Sequence, residues 1–378
     1  MTTEHHSILC ITPPHMLREI VTRGSAAQRD WALRTLTTTE QFRGVRQLYA
    51  DFPALAAPTA AAGKQRIVYS ADQGSSLPGR KVRGEGEPPS GDVGADEAYD
   101  GSGATYDLYS DVYQRNSIDG NGLRLDSTVH YQKGYDNAFW NGQQMVYGDG
   151  DEDQPPADRL FNRFTIAIDI IGHELTHGVT QYEAKLIYRN QSGALNESMS
   201  DVFGVLVKQR ALNHTADQAD WLVGQGLFTA NVKGVALRSM KAPGTAYDDP
   251  VLGKDPQPAH MKDYKNVSYD NGGVHINSGI PNHAFYVASL ELGGKAWEKA
   301  GRIWYVTLRD KLGPLSNFQE AANLTHQVAA ELYGNGSLEQ KAVQTGWAAV
   351  GITVGGGTEP PPPPKGCGQT IMELFGMK

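Results

Sequence analysis

The chain has 378 residues and a formal net charge of -8, from 34 basic against 42 acidic side chains, which excludes a general binder of nucleic acid. Its apolar share of 39% is ordinary for a globular protein, and no run of residues approaches the length of a membrane span. Cys10 and Cys367 stand near opposite ends, so the fold cannot rest on a disulfide framework, and the length suffices for two lobes around a cleft plus accessory segments.

From the N-terminus, Glu4, His5 and His6 stand where a signal peptide wants basic residues, and the apolar run Ile8 to Ile11 is too short for its hydrophobic stretch. No Sec signal peptide is therefore expected: synthesis is cytoplasmic, and any action outside the cell requires a non-Sec route. Two short helical patterns follow, Trp31 to Leu36 and Glu40 to Leu48, then a small-residue linker, Pro53 to Gly63, that a protease could enter. Leu77 to Gly103, rich in Gly, Pro and acids, reads as long surface loops on a sheet-containing lobe, and Leu123 to Tyr131 alternates as a strand ending near an edge at Asn137. The stretch Phe164 to Ala184 carries Ile166, Ile168, Ile170, Ile171, Leu175 and Val179 without Pro or a Gly pair, as a helix would. Asn196 to Asp201 opens a second apolar-periodic run. Gly272-Gly273 marks a sharp turn or close backbone approach. Beyond it, helical patterns cover Pro281 to Leu292, Lys295 to Arg309, Asn317 to Tyr333 and Leu338 to Val350. The tail from Gly355, with Pro360 to Pro364 and then Ile371, Met372, Leu374 and Phe375, reads as a disordered extension or a docking peptide.

His173-Glu174-Leu175-Thr176-His177 holds the most chemistry. On a helix His173 and His177 lie about 40° apart around the axis and one turn apart along it, so both can reach one metal ion. Glu174 falls beside that face, placed to hold a water and take its proton. A second helix packed across the first would bring in Glu197 as third ligand, leaving a position open as a catalytic zinc requires. Asp201, one turn on, is the natural acceptor for the free ring N–H of a ligating histidine.

The order of segments resembles the thermolysin family of zinc endopeptidases from about Tyr106 to Ile352. The matching stretches are Asn137-Ala138-Phe139-Trp140-Asn141-Gly142, Asp169 to His177, Tyr188 to Asp201, Leu237-Arg238-Ser239-Met240, and Asp270 to Gly279. The metzincin pattern is excluded by Thr180 and Glu183, and Gly193-Ala194-Leu195-Asn196-Glu197 departs from the zinc aminopeptidase context. The resemblance implies an α+β, two-lobe thermolysin-like fold, with a β-rich N-terminal lobe, a mainly α-helical C-terminal lobe and the zinc helix between them. It implies one zinc ion on His173, His177 and Glu197, with Glu174 as general base. Tyr188 and His275 would donate to the developing oxyanion, and Asp270 would orient His275. Asn137 and the carbonyl of Ala138 would bind the substrate main chain, and Arg238 a substrate carbonyl. Phe161, Phe164, Ile170, Leu227 and Leu237 would line an apolar pocket for the residue after the cut bond, giving broad cleavage before Leu, Ile or Phe. Ser7 to Leu17, with its Pro13-Pro14, resembles the short propeptide of protealysin-type members.

These readings divide the chain into residues 1–57, an inhibitory propeptide and processing linker; 58–190, an N-terminal catalytic lobe with the zinc helix; 191–353, a helical catalytic lobe; and 354–378, the tail. Removal by cutting between about Leu55 and Lys64 is expected, against a propeptide that stays as a stabilising subdomain, and Cys10 is expected as a small buried side chain, against a thiolate that caps the zinc. The expected partners are peptide or protein substrates and the chain's own propeptide, with no nucleic acid, no membrane span and a monomeric state. Lys208, Leu222 and Gln225 stand where the family pattern has acids beside Asp169, and Val235 replaces an acid in a second calcium loop, so an Asp169–Lys208 ion pair and no obligatory calcium are expected. The competing function is a non-catalytic zinc-binding interaction protein that retains the fold; an exopeptidase would need a charged grip on a substrate terminus, for which no candidate stands out.

Overall fold

A computed structural model describes residues 9–49 and 63–357. The expected linker around Leu55, the boundary at residue 57, Cys367 and the tail beyond residue 357 lie outside the described residues. The N-terminal part is built on a six-stranded mixed sheet. Its strands are β1 (Leu9–Cys10), β2 (Arg66–Ser70), β3 (Arg80–Gly84), β4 (Leu125–Val129), β5 (Ala138–Trp140) and β6 (Met145–Tyr147), in the order β1-β5-β6-β4-β2-β3. β1 comes from the far N-terminus and pairs antiparallel with β5, Leu9 opposite Trp140 and Cys10 opposite Phe139. Contrary to expectation, β4 does not run to the Asn137 edge. β6 lies between it and β5, paired parallel to β4.

After β1, Pro13-Pro14 starts helix α1 (Pro14–Arg23), where a proline at the first position loses no helical hydrogen bond, and Pro14, Met16, Leu17 and Ile20 bury one face. The two helical patterns expected next are one helix, α2 (Ala26–Tyr49). The β-branched Thr37-Thr38-Thr39 between them lowers local propensity, but tertiary contacts outweigh it. Thr38 Oγ1 donates to Gln132 at 3.1 Å, Thr39 Oγ1 lies 3.4 Å from the Tyr135 hydroxyl, and the amide of Asp136 donates to Thr35 Oγ1 at 3.1 Å.

The stretch read as surface loops contains β3 and the start of α3 (Val93–Asp107). Its small residues mimic a loop composition, yet Gly94, Ala95, Ala98 and Gly101 are buried and let α3 pack against the zinc helix. Asp92 caps α3, accepting from the Ala95 amide at 3.1 Å. His130, just after β4, binds that cap: its Nε2 lies 2.8 Å from Asp92 and its Nδ1 2.9 Å from Asp149. The bond to Asp149, opposed by partial burial and supported by Asp92, pushes His130 up to about 9. A raised folded-state value means the contribution is complete below the unfolded value near 6.5 and is lost as pH rises to about 9. In His130→Asn the pH-dependent destabilisation, about 1–2 kcal/mol after allowing for solvent screening, should be largest near pH 6 and fade by pH 9. Denaturant melts of both proteins across that range check it; a loss constant with pH would show that the His130 charge is not the cause.

Helix α4 (Ile168–Tyr182), preceded by a short turn at Phe164–Ile166, packs along α5 (Asn190–Leu212). α5 begins before Asn196, so Glu197 and Asp201 project from its second and third turns. At Gly204 the helices almost touch: a Cβ there would stand 2.4 Å from the Asp169 carbonyl oxygen. β7 (Leu222–Val223) and β8 (Arg238–Ser239) form a small antiparallel ribbon beside them. The C-terminal part is helical: α6 (Asp270–Asn277), α7 (Gly279–Leu292), α8 (Ala300–Asp310), α9 (Phe318–Tyr333) and α10 (Leu338–Ala349). Asn317 and Glu320 close a reciprocal capping box at the start of α9. One continuous buried cluster joins both parts through α4 and α5, and no helix among the described residues is long and apolar enough to cross a membrane.

Candidate active site

α4 presents His173, Glu174 and His177 and α5 presents Glu197, all fully buried. The candidate ligand atoms of His173, His177 and Glu197 lie within 4.8 Å of one another. The rings are fixed from behind. His173 Nδ1 faces Asp201 Oδ1 at 2.8 Å, and His177 Nδ1 faces Asn196 Oδ1 at 2.8 Å and Ser200 Oγ at 2.9 Å. The Asn196 amide nitrogen donates to the Leu186 carbonyl, which leaves its oxygen for the ring. Both Nδ1 atoms therefore carry the proton, and both Nε2 atoms turn lone pairs towards each other at 3.0 Å, with the Glu197 carboxylate 3.4 Å away. Glu197 Oε2 and Glu174 Oε1 are buried without a hydrogen-bond partner among the described residues. Converging lone pairs and an unpartnered carboxylate oxygen are unfavourable unless a cation lies among them, and two imidazoles with a carboxylate suit zinc.

Asp201 ties this centre to the rest of the cleft. Burial would raise its carboxyl, but the Arg238 guanidinium and His173 hold it well below the usual carboxylate range. Arg238 donates to it from Nε at 2.8 Å and Nη2 at 2.7 Å, and the Asn282 amide at 2.8 Å. Across the cleft, Tyr188 donates to Glu197 Oε1 and lies 3.1 Å from His275 Nε2. Asp270 accepts from the His275 ring at 2.6 Å and from its amide at 3.0 Å. Burial opposes charge on His275, but Asp270 and Glu197 raise it. The loop that sets this geometry has positive φ at Asp270, Asn271, Gly272 and Gly273. At Gly272 a Cβ would also meet the Asn190 side chain at 2.1 Å, so the expected turn is a close approach.

The prosegment occupies the space between these groups. The Cys10 carbonyl oxygen is 3.0 Å from His275 Nε2; with Asp270 on the other nitrogen, the ring donates at both ends as an imidazolium. The Ile11 amide donates to the Ala138 carbonyl at 3.2 Å and also faces Glu174. Arg238 Nη1 donates to the Ile11 carbonyl at 3.2 Å, and the Thr12 amide donates to Asn137 Oδ1 at 3.0 Å. The Cys10 side chain packs among Tyr131, Tyr135, Phe139 and Val146 and is not part of the metal-ligand group, so of the two roles open to this thiol it takes that of a small buried side chain: an aromatic pocket holds it, and the backbone faces the site.

Glu174 accepts from the Trp140 amide at 3.1 Å; burial and the Glu197 carboxylate push it well above the usual range, the direction a base working near neutrality needs. Phe161, Phe164, Ile170, Leu227 and Leu237 are buried in one cluster that also contains Ile11. Beside α4, Lys208 Nζ lies 2.9 Å from Asp169, as expected, but also 2.9 Å from Asp220 and 2.6 Å from the Leu222 carbonyl. Sequence reasoning missed Asp220, Asn196, Ser200 and Asn282. The i, i+4 pair Asn196 and Ser200 flanking Glu197 was the signal that could have found two of them.

A buried His-His-Glu metal group, with a carboxylate beside it and charged donors opposite, defines a metal-dependent hydrolase. The profile described as thermolysin metallopeptidase, catalytic domain, matches residues 79–181, and that described as thermolysin metallopeptidase, alpha-helical domain, matches residues 184–352. An extracellular metalloprotease of Pectobacterium carotovorum subsp. carotovorum is 50% identical over 92% of this chain and 97% of its own. Protease PrtS of Photorhabdus sp. (strain Az29) is 46% identical over 94% and 95%. The precursor of protealysin, a metalloproteinase from Serratia proteamaculans, superposes with a TM-score of 0.82 at 52% identity, covering 91% of this chain and 100% of that one. The chain belongs to the thermolysin metallopeptidase family. It is a zinc-dependent neutral endopeptidase with a propeptide, and the two-lobe fold expected from the sequence is the fold observed.

Proposed function

We propose that this chain is a latent endopeptidase that cuts on the N-terminal side of apolar residues, held inactive by residues 1–57 until they are removed near Leu55 to Lys64. The catalytic lobes are residues 58–190 and 191–353, and the working unit is a monomer. Calcium is not obligatory, because the Lys208 ammonium supplies to Asp169 and Asp220 the positive charge that a bound cation would otherwise bring. The extracellular relatives favour action outside the cell.

His173, His177 and Glu197 would hold zinc, which when bound lowers the pKa of a water and polarises the peptide carbonyl. Glu174 takes the water's proton and passes it to the leaving nitrogen. His275 and Tyr188 donate to the oxygen that gains charge, Asp270 holds the His275 ring, and Asp201 holds His173. Asn137, Ala138 and Arg238 align the substrate backbone as an added strand, and Phe161, Phe164, Ile170, Leu227 and Leu237 receive the apolar side chain.

The supporting observation is the prosegment backbone bonded to His275, Arg238 and Asn137 in the cleft. Residues 10–12 fill the cleft through these bonds, so the same molecule has no free cleft in which to cut a second segment of itself while they remain. Removal at the linker should therefore occur between molecules. Purified chain should show a lag, a rate that rises with protein concentration, and a gain of activity as new N-termini between Leu55 and Lys64 appear. Concentration-independent removal would overturn the intermolecular reading; removal with no gain of activity would overturn latency.

A further inference from the structure

Residues 9–12 do more than block the cleft, because their direction and register are those of a substrate. The pairing with β5 is antiparallel, and the backbone groups from the Cys10 carbonyl to the Thr12 amide meet groups that the proposed mechanism assigns to a reacting peptide. The Cys10 carbonyl oxygen is on the His275 donor at 3.0 Å. The next nitrogen, that of Ile11, donates to the Ala138 carbonyl at 3.2 Å, the group assigned to the substrate main chain, on the side of Glu174, which would protonate a leaving amine. Arg238 and Asn137 hold the following carbonyl and amide at 3.2 and 3.0 Å. Ile11 itself is apolar and fully buried in the continuous core that runs through both lobes, as an apolar side chain after a cut bond would be. A plug that merely excluded substrate would need none of this correspondence; a reversed or shifted strand would exclude it equally well.

We infer that the Cys10–Ile11 peptide bond is itself a substrate, and that the chain cuts its own prosegment there in cis. The inference rests on the endopeptidase reading and on the site roles above. Water adds its oxygen to the Cys10 carbonyl carbon and the bond from that carbon to the Ile11 nitrogen breaks. Glu174 moves one proton from the water to the nitrogen and the second follows from the new carboxyl group, so Cys10 leaves as a carboxylate and Ile11 becomes the new, ammonium N-terminus. Water is the sole co-reactant.

The two products are held unequally. On the Ile11 side, Thr12 Oγ1 donates to the Asp136 carbonyl at 2.9 Å, and α1 buries Met16, Leu17 and Ile20. On the other side, the described residues Leu9 and Cys10 hold on by the β1–β5 pairing and the aromatic pocket around Cys10. The part of the prosegment that begins at Ile11 therefore stays in the cleft, and the cut chain remains latent. This event is separate from removal at the linker and differs in kinetic order.

The test follows zinc-loaded full chain by intact mass and N-terminal sequencing across a hundredfold range of concentration, with cleavage of a quenched peptide bearing Leu after its scissile bond measured in parallel. The expected result is a species beginning at Ile11 whose rate of formation does not change with dilution. It should be absent from Glu174→Gln and from phenanthroline-treated native chain, and at least about tenfold slower in Ile11→Asp, which puts a charge into an apolar pocket. The native chain treated with phenanthroline keeps the control valid if Glu174→Gln misfolds. A chain that comes to cut the quenched peptide but never yields an Ile11 N-terminus overturns the inference and leaves the endopeptidase reading standing. An Ile11 terminus that forms in proportion to concentration, or in Glu174→Gln, overturns cutting in cis. Fully zinc-loaded chain that cuts neither itself nor the peptide overturns the endopeptidase reading and this inference with it.

Discussion

Asp201→Ala is expected to destabilise the protein by about 3–5 kcal/mol and to weaken zinc binding about 10–100-fold. The carboxylate accepts four hydrogen bonds: from His173, twice from Arg238 and from Asn282. Its removal leaves the Arg238 guanidinium, 2% exposed, with one bond to the Ile11 carbonyl and no counter-charge in contact. A buried charge stripped of its partner costs far more than the pair contributes, because its hydration is not restored. The His173 ring loses the acceptor that fixes its tautomer, so the lone pair aimed at the metal is no longer guaranteed. Both effects should be measured in a Glu174→Gln background, which removes self-digestion, by denaturant melts and by zinc competition with a chelator. A loss below 1 kcal/mol with unchanged zinc affinity would mean that Arg238 and His173 find other partners.

Glu174→Gln should lower kcat/KM on a peptide with an apolar residue after the cut bond by about 10²–10⁴-fold while zinc content stays at one per chain. The amide keeps the shape of the carboxylate, and its oxygen can still accept from the Trp140 amide, 3.1 Å from Glu174 Oε2 in the native chain. It cannot take a proton from water or return one to the leaving amine. His173, His177 and Glu197 are untouched, so metal loss is not expected to contribute. Paired kinetics and zinc analysis decide it; activity within tenfold of the native enzyme would remove Glu174 from the role of base.

Much of the site was legible because its chemistry is local. The spacing of His173, Glu174 and His177 fixes their relation on any helix, and the i, i+4 step from Glu197 to Asp201 does the same on the next. The helices after Gly279 were close to those expected because strong apolar periodicity and signals such as the Asn317 and Glu320 cap lie within a few residues of one another. Compositional cues failed where packing outweighed them. α3 looked like a loop since its small residues serve a close approach to α4, and the threonines of α2 looked like a break until their hydroxyls found the 130–136 loop.

The sequence by itself therefore determined the grouping of His173, His177 and Glu197, the place of Glu174 beside it and the helical lobe, all set by spacings within one element or between adjacent ones. It also marked Ser7 to Leu17 as a propeptide motif, but not how that motif binds. Tertiary structure alone decided that β1 enters the cleft as a strand on β5, that Cys10 turns its side chain to an aromatic pocket and its carbonyl to His275, and that Arg238 bridges Asp201 and Ile11. The physical reason is distance along the chain. The Thr12 to Asn137 bond spans 125 residues and the Cys10 to His275 bond 265, and such pairings depend on the register of a whole sheet and the packing of two helices.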